Sequence, residues 1–289
     1  MAPVPASRSK TCAPRILRPE AEAAPAGEPR YAIASLVSDR AHYEAMLASF
    51  RAGGFSDADC EYLFLDNTGP LQTGAYRGLN ALLNAAHAPI VILCHQDVRL
   101  LSDGRQDLDL RLSELSKRDE TWALAGNAGG IAPGRLALRI TDPHGKNQRA
   151  GVLPARVTSL DETFIIVRRN ARLGFSRDLD GFHFYGADIC LHAAQMGYNA
   201  YVIDFHLEHL SPGKKGSDFA AAEVAFREKW SRALSPRWIQ TTCSLVRLTG
   251  GTAGSIISRI IAAPLSKIAR RMPNASGWTR SKAKPASAL

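Results

Sequence analysis

The chain has few cysteines, and none of the five (Cys12, Cys60, Cys94, Cys190 and Cys243) forms a C-x-x-C pair. An odd, scattered set supports neither a disulfide framework nor a cysteine zinc site, and it fits a reducing cytoplasm. No apolar run reaches the roughly 18 residues that a bilayer-spanning helix needs, so no transmembrane segment is expected. Residues 1–29 lack an apolar stretch resembling a signal peptide. They are rich in Ala and Pro with scattered charge, which reads as a disordered arm. Acids are absent from Thr241 to Leu289, where eight Lys or Arg stand unopposed.

That last absence places the charge. The formal net charge is +9, yet Arg30 to Gln240 holds twenty-four residues of each sign and is neutral. A neutral domain with a basic tail argues against a nucleic-acid groove, and for a tail that alone meets an anionic surface. The expected organisation is an arm over 1–29, a domain over 30–240 and a basic tail over 241–289. In the tail, Ile257, Ile261, Leu265, Ile268 and Met272 recur at helical spacing, with Arg259, Lys267, Arg270 and Arg271 on other faces. Such a helix suits an anionic membrane surface or a packing face on the domain, and Pro264 would break or kink it.

The densest signal lies at Pro89–Val98, PIVILCHQDV, where an apolar run stops at His95, Gln96 and Asp97. Such a run reads as a strand buried on both faces, with the polar triplet where it emerges. Upstream, Tyr31–Val37 reads as a strand and Arg40–Arg51 as a helix with Tyr43, Met46, Leu47 and Phe50 on one face. Cys60–Leu65 is a second strand ending at Asp66 and Asn67, and Ala75–Ala86 a second helix. A βαβαβ series predicts an α/β fold with parallel strands, and ligands in such sheets bind beyond the strands' carboxyl ends. Asp66 and Asp97 share that edge. Either one alone is also ordinary turn or capping chemistry.

From about Tyr31 to about Trp230 the chain resembles family 2 glycosyltransferases, closest to a bacterial subgroup in which a strand ends in HQDV. The resemblance rests on the Asp66-Asn67 pair, on Gly74, Gly78 and Asn80, and on Asp97. It extends through WALAGNAGG from Trp122, LDETFIIVRR from Leu160, GFHFYGADICLHAAQMGY from Gly181 and FHLEHLSPG from Phe205. It implies a GT-A-like single domain, with a mixed, mainly parallel central sheet flanked by helices. Two departures stand out. His95 occupies the place of the first acid of the family's DxD motif. Tyr185 and Gly186 stand where many relatives carry a Glu-Asp pair, leaving Asp188 as the retained acid.

The resemblance implies an inverting transfer of a sugar from a nucleoside-diphosphate donor to a hydroxyl of a glycan or glycoconjugate, assisted by a divalent cation, Mn or Mg. Asp97 and His209 are the expected metal ligands, with His206 as the alternative imidazole. Asp66, Asn67, Asn80 and Asp97 are expected at the donor. Trp122, Phe182, His183 and Tyr185 are expected at the acceptor, and Asp188 or Asp180 as general base. The enzyme is expected in the cytoplasm, with the tail as its contact to an inner membrane face. Two other readings stay open: a nucleotide-sugar-binding protein without transferase activity, and a nucleotidyltransferase. The second would normally carry a Gly-rich loop with a basic residue after the first strand, and Ser38, Asp39 and Arg40 do not form one.

Overall fold

The computed structural model describes residues 15–20, 27–213, 216–240 and 245–249. The chain divides into two compact units, Met1–Phe226 and Arg227–Leu289.

In the first unit, β1 (Ile16–Leu17) is followed by β2 (Tyr31–Val37), α1 (Arg40–Ala52), β3 (Cys60–Asp66), α2 (Ala75–Ala85) and β4 (Ile90–Cys94). Next come β5 (Val98–Leu100), α3 (Arg105–Arg118), β6 (Trp122–Gly126), β7 (Ala128–Ala132), β8 (Arg135–Asp142) and β9 (Gly145–Ala150). β10 (Ala155–Val157), β11 (Ser159–Leu160), β12 (Phe164–Arg168), α4 (Tyr185–Gln195), β13 (Asn199–Val202) and β14 (Leu207–His209) complete it up to α5 (Ser217–Leu234), which contains the division. In the second unit, β15 (Arg237–Gln240) pairs antiparallel with β16 (Leu245–Leu248). The helix expected around Ile261 lies outside the described residues.

The central sheet has eight strands in the order β1-β3-β2-β4-β12-β6-β13-β10. Five of them (β3, β2, β4, β6 and β13) point one way and three run against them, so the sheet is mixed and mainly parallel. The unbroken apolar run of β4 follows from burial on both faces. Val91 and Leu93 join the core under α2 and α4, whereas Ile92 and Cys94 join the core under α1 and α3. Period-2 alternation forces this split, and each face must find its own helical cover. The face of α1 read from the sequence, Tyr43, Met46, Leu47 and Phe50, is the face that is buried.

Two features depart from the sequence reading. Ile16 and Leu17, inside the arm expected to be disordered, pair antiparallel with Leu65 and Phe64 of β3. Two apolar residues capping an exposed sheet edge account for this. A second sheet, β11-β7-β8-β14-β5 with β9 alongside β8, was not anticipated at all. It positions the site, because β14 pairs antiparallel with β5 and sets His209 opposite Val98.

Candidate active site

The polar triplet after β4 is held by its own hydrogen bonds. Gln96 Oε1 accepts from the backbone N–H groups of Ser38 and Asp39 at 2.8 and 2.9 Å, and its Nε2 donates to Ser38 Oγ at 3.0 Å. Gln96 thus ties the end of β4 to the end of β2 and leaves its neighbours to face the crevice. The Leu210 N–H donates to the Asp97 carbonyl at 3.2 Å, docking the segment after β14 on the same edge.

This brings three ligating groups together. Asp97 Oδ1 lies 3.4 Å from His209 Nε2 and 4.0 Å from His95 Nδ1, and the two imidazole nitrogens are 3.4 Å apart. Among the described residues His95, Asp97 and His209 form a group able to hold a metal ion. A triangle with those sides has its centre about 2 Å from each corner, the length of a bond from a first-row divalent ion to nitrogen or oxygen. The donor set and its spacing therefore fit a divalent cation. The near imidazoles hold the Asp97 carboxyl well below the usual carboxylate range although burial opposes this. Burial and the adjacent His209 push the His95 pKa down, so the ring is neutral and able to ligate. Ser211 Oγ sits 3.1 Å from His209 Nε2.

The far nitrogen of His95 is also placed. Its Nε2 lies 2.8 Å from Tyr185 Oη, and the Tyr185 hydroxyl donates to the Glu162 carbonyl at 3.2 Å. With His95 Nδ1 at the metal position, Nε2 carries the proton and donates to Tyr185, whose hydroxyl in turn donates to a carbonyl. Outer partners of this kind fix the tautomer and orientation of a ligating histidine.

Beside the cluster lies a cavity of about 350 Å³, lined among others by Ser38, Asn67, Gln72, Gln96, Phe182 and Ser211. His95, Asp97, Glu162 and Tyr185 also reach its wall. Its position beyond the carboxyl ends of β2, β3 and β4 is where open α/β sheets bind ligands.

The other residues singled out in the sequence fall in several places. Asp66 ends β3 and accepts from Thr68 and Arg40, which hold its carboxyl down at about 2. Asn67 lines the cavity while both ends of its amide bond the backbone of Thr73. Asn80 is a correction. Its amide donates to the Phe175 carbonyl and accepts from the Phe175 N–H, both at 2.9 Å, which makes it a brace between α2 and the segment before α4. Trp122 is another correction. It is 2 % exposed, its Nε1 donates to Ser116 Oγ, and it packs in the core under α3 rather than at the cavity. Phe182 is exposed at the cavity, whereas the His183 ring packs edge-on against Phe219, 5.3 Å between centres. His206 bonds Thr141 Oγ1 at 2.9 Å and stands outside the metal cluster.

The two acids expected as base lie off the cavity wall. Asp188 is fully buried, and its two oxygens accept from the Ser176 N–H at 2.8 Å and the Ser176 hydroxyl at 2.6 Å. Asp180 is exposed and caps the Gly181 N–H at 2.8 Å. A Cβ at Gly74 would lie 1.9 Å from Asp180 Oδ1, so a larger residue there would have to displace that carboxylate. Sequence reasoning overlooked two site residues. His95 was read as a missing acid, although its Nδ1 completes the group able to hold a metal, and Glu162, which lines the cavity, was quoted within LDETF without a role.

Fold and site together define an α/β protein with a cavity and a His-Asp-His cluster able to hold a metal ion at the carboxyl edge of its central sheet. No family model matches the chain. It is 36% identical over 229 residues to the protein "ATP synthase subunits region ORF 6" of Fuscovulum blasticum, covering 76% of this chain and 91% of that one. The chain belongs to the same family as that protein. Among solved structures it is similar to a mannosyltransferase from Pyrobaculum calidifontis in complex with GDP-Man and Mn2+, at 16% identity and a TM-score of 0.48, over 74% of this chain and 67% of that one. It is also similar to S. aureus TarS 1-349 in complex with UDP-GlcNAc, at 10% identity and a TM-score of 0.47, over 67% and 61% of the two chains.

Proposed function

We propose that this chain is a metal-dependent, inverting glycosyltransferase that moves a sugar from a nucleoside diphosphate to a hydroxyl of a glycan or glycoconjugate. The observation that carries the reading is the His95–Asp97–His209 triangle at the mouth of a polar-edged cavity. The motif order from Tyr31 to Trp230 supports it. His95, Asp97 and His209 would hold the cation, which would supply charge neutralisation for the departing diphosphate oxygens. Two imidazoles in the set favour Mn over Mg, since Mg prefers oxygen ligands and nitrogen suits the later metals.

The chain's own residues do the rest. Gln96 fixes the strand ends so that the ligating atoms are preset. Asp66, next to the cavity residue Asn67, is the proposed contact to the donor's nucleoside, its carboxylate accepting from a base N–H or a ribose hydroxyl. Phe182, open to solvent at the cavity, offers its ring to the acceptor sugar. Asp188 and Asp180 are proposed as structural acids, because their carboxylates are engaged by neighbours and lie off the cavity wall.

The test is release of nucleoside diphosphate from a panel of nucleotide sugars that includes GDP-Man and UDP-GlcNAc, with and without Mn. Metal-dependent release that falls by orders of magnitude in Asp97→Asn supports the reading. Full activity in EDTA, or in Asp97→Asn, contradicts it. The basic tail is the proposed contact to an anionic membrane. Deleting residues from Thr252 onward is expected to abolish liposome binding and spare release.

A further inference from the structure

The acids of the cavity wall are Asp97 and Glu162. Asp97 belongs to the metal cluster, which leaves one carboxylate facing the ligand space without an assigned part. Glu162 sits in the turn between β11 and β12, and its carboxyl faces the backbone N–H groups of Phe184, Tyr185 and Gly186 at the start of α4. Phe184 reaches this arrangement with φ at 66°, a left-handed conformation that an aromatic residue rarely adopts. Its ring is anchored 4.9 Å from that of Phe219 and 5.3 Å from that of Phe226. The loop is therefore held in a left-handed shape that turns the start of α4 toward this side chain, and strained backbone of this kind clusters at functional sites.

Gly186, beside Glu162, has no room for a side chain because the Leu160 backbone fills the space. A Cβ at position 186 would lie 2.2 Å from the Leu160 carbonyl oxygen and 3.3 Å from Glu162 Cγ, so no acid fits there. Resting on the glycosyl-transfer reading above, we propose that Glu162 is the catalytic base, the group that takes the proton from the acceptor hydroxyl. As the acceptor oxygen bonds to the anomeric carbon, its O–H bond breaks and the proton passes to a Glu162 oxygen. The bond from the anomeric carbon to the phosphate oxygen breaks, and its electron pair leaves with the nucleoside diphosphate. The carboxylate faces these N–H groups and keeps lone pairs for this proton. Burial and the neighbouring Asp161 push the Glu162 carboxyl up to about 8, a range in which a base both ionises and keeps the proton it receives.

The experiment compares wild type, Glu162→Gln and Asp97→Asn in three readouts: Mn-supported binding of UDP and GDP, release of diphosphate into water from the donor panel, and release with azide added. Glu162→Gln keeps the shape and the acceptor oxygen for the helix N–H groups. It is expected to bind nucleotide within a few-fold of wild type and to lose about 100-fold or more of release into water. Azide is already an anion and needs no base, so it should restore release in Glu162→Gln, with glycosyl azide detected by mass, and leave Asp97→Asn inactive. Release within about three-fold of wild type in Glu162→Gln overturns the proposal. So does a matching loss of nucleotide binding, or failure of azide to rescue a variant that still binds. A wild type that releases no diphosphate from any donor overturns the glycosyl-transfer reading itself, a result separate from an active Glu162→Gln.

Discussion

His95 Nε2 lies 2.8 Å from Tyr185 Oη, and this contact joins the metal-ligating cluster to the first residue of α4. The same hydroxyl donates to the Glu162 backbone carbonyl, so the cluster, α4 and the β11–β12 turn share one hydrogen-bonded line. Removing the middle of the line should be felt at the metal. Tyr185→Phe is expected to lower Mn affinity by about 10- to 100-fold, the usual cost of losing an outer partner of a ligating histidine, while the fold is retained. Manganese titration with circular dichroism as control checks this. Unchanged affinity would show that His95 does not ligate through Nδ1.

Asp188 is expected to matter for stability and not for the chemical step. Both its oxygens are engaged by Ser176, so Asp188→Asn removes the charge that strengthens both bonds and sets an amide NH2 against the Ser176 hydroxyl, which must turn to accept it. The cost should be about 1–3 kcal/mol, read as a lower urea midpoint at unchanged slope. At temperatures where the variant stays folded, turnover per folded molecule should stay within a few-fold of wild type. A folded Asp188→Asn with no turnover would return the base to Asp188.

Glu162 gives a pH signature in stability. Its pKa is raised in the folded state, to about 8, above the unfolded value for a glutamate of about 4.3. The folded protein therefore holds the proton more tightly, and the stabilisation is fully present below the unfolded value. It is lost as pH rises through the folded value, so wild-type stability should decline between those limits on this group's account. Glu162→Gln should flatten the decline and match or exceed the wild-type Tm at pH 8 while losing transfer. A steeper decline in the variant would show that the ionised carboxylate is stabilising.

Much of this architecture was legible in the chain because the signals were local. The alternation buried in PIVILC, the face of α1 and the acids at two strand ends each follow from neighbouring residues. The second sheet was not legible, since β14 meets β5 and β8 across long separations that no period records. The site was half legible for the same reason. Asp97 and His209 were found by motif, but only the fold shows that His95 completes their triangle and that Asn80 and Trp122 are engaged elsewhere. Glu162 had no signal of its own. Its meaning depends on α4 arriving over it with Gly186 at the point of contact.

The most direct test of the metal centre is manganese binding followed by electron paramagnetic resonance, with UDP or GDP present, in wild type and in the His95→Ala, Asp97→Asn, His209→Ala and His206→Ala proteins. The account predicts one bound Mn per wild-type chain, loss in Asp97→Asn, weakened binding in His95→Ala and His209→Ala, and wild-type binding in His206→Ala, whose ring bonds Thr141 instead. Undiminished binding in Asp97→Asn, or loss in His206→Ala with His209→Ala unaffected, would contradict it.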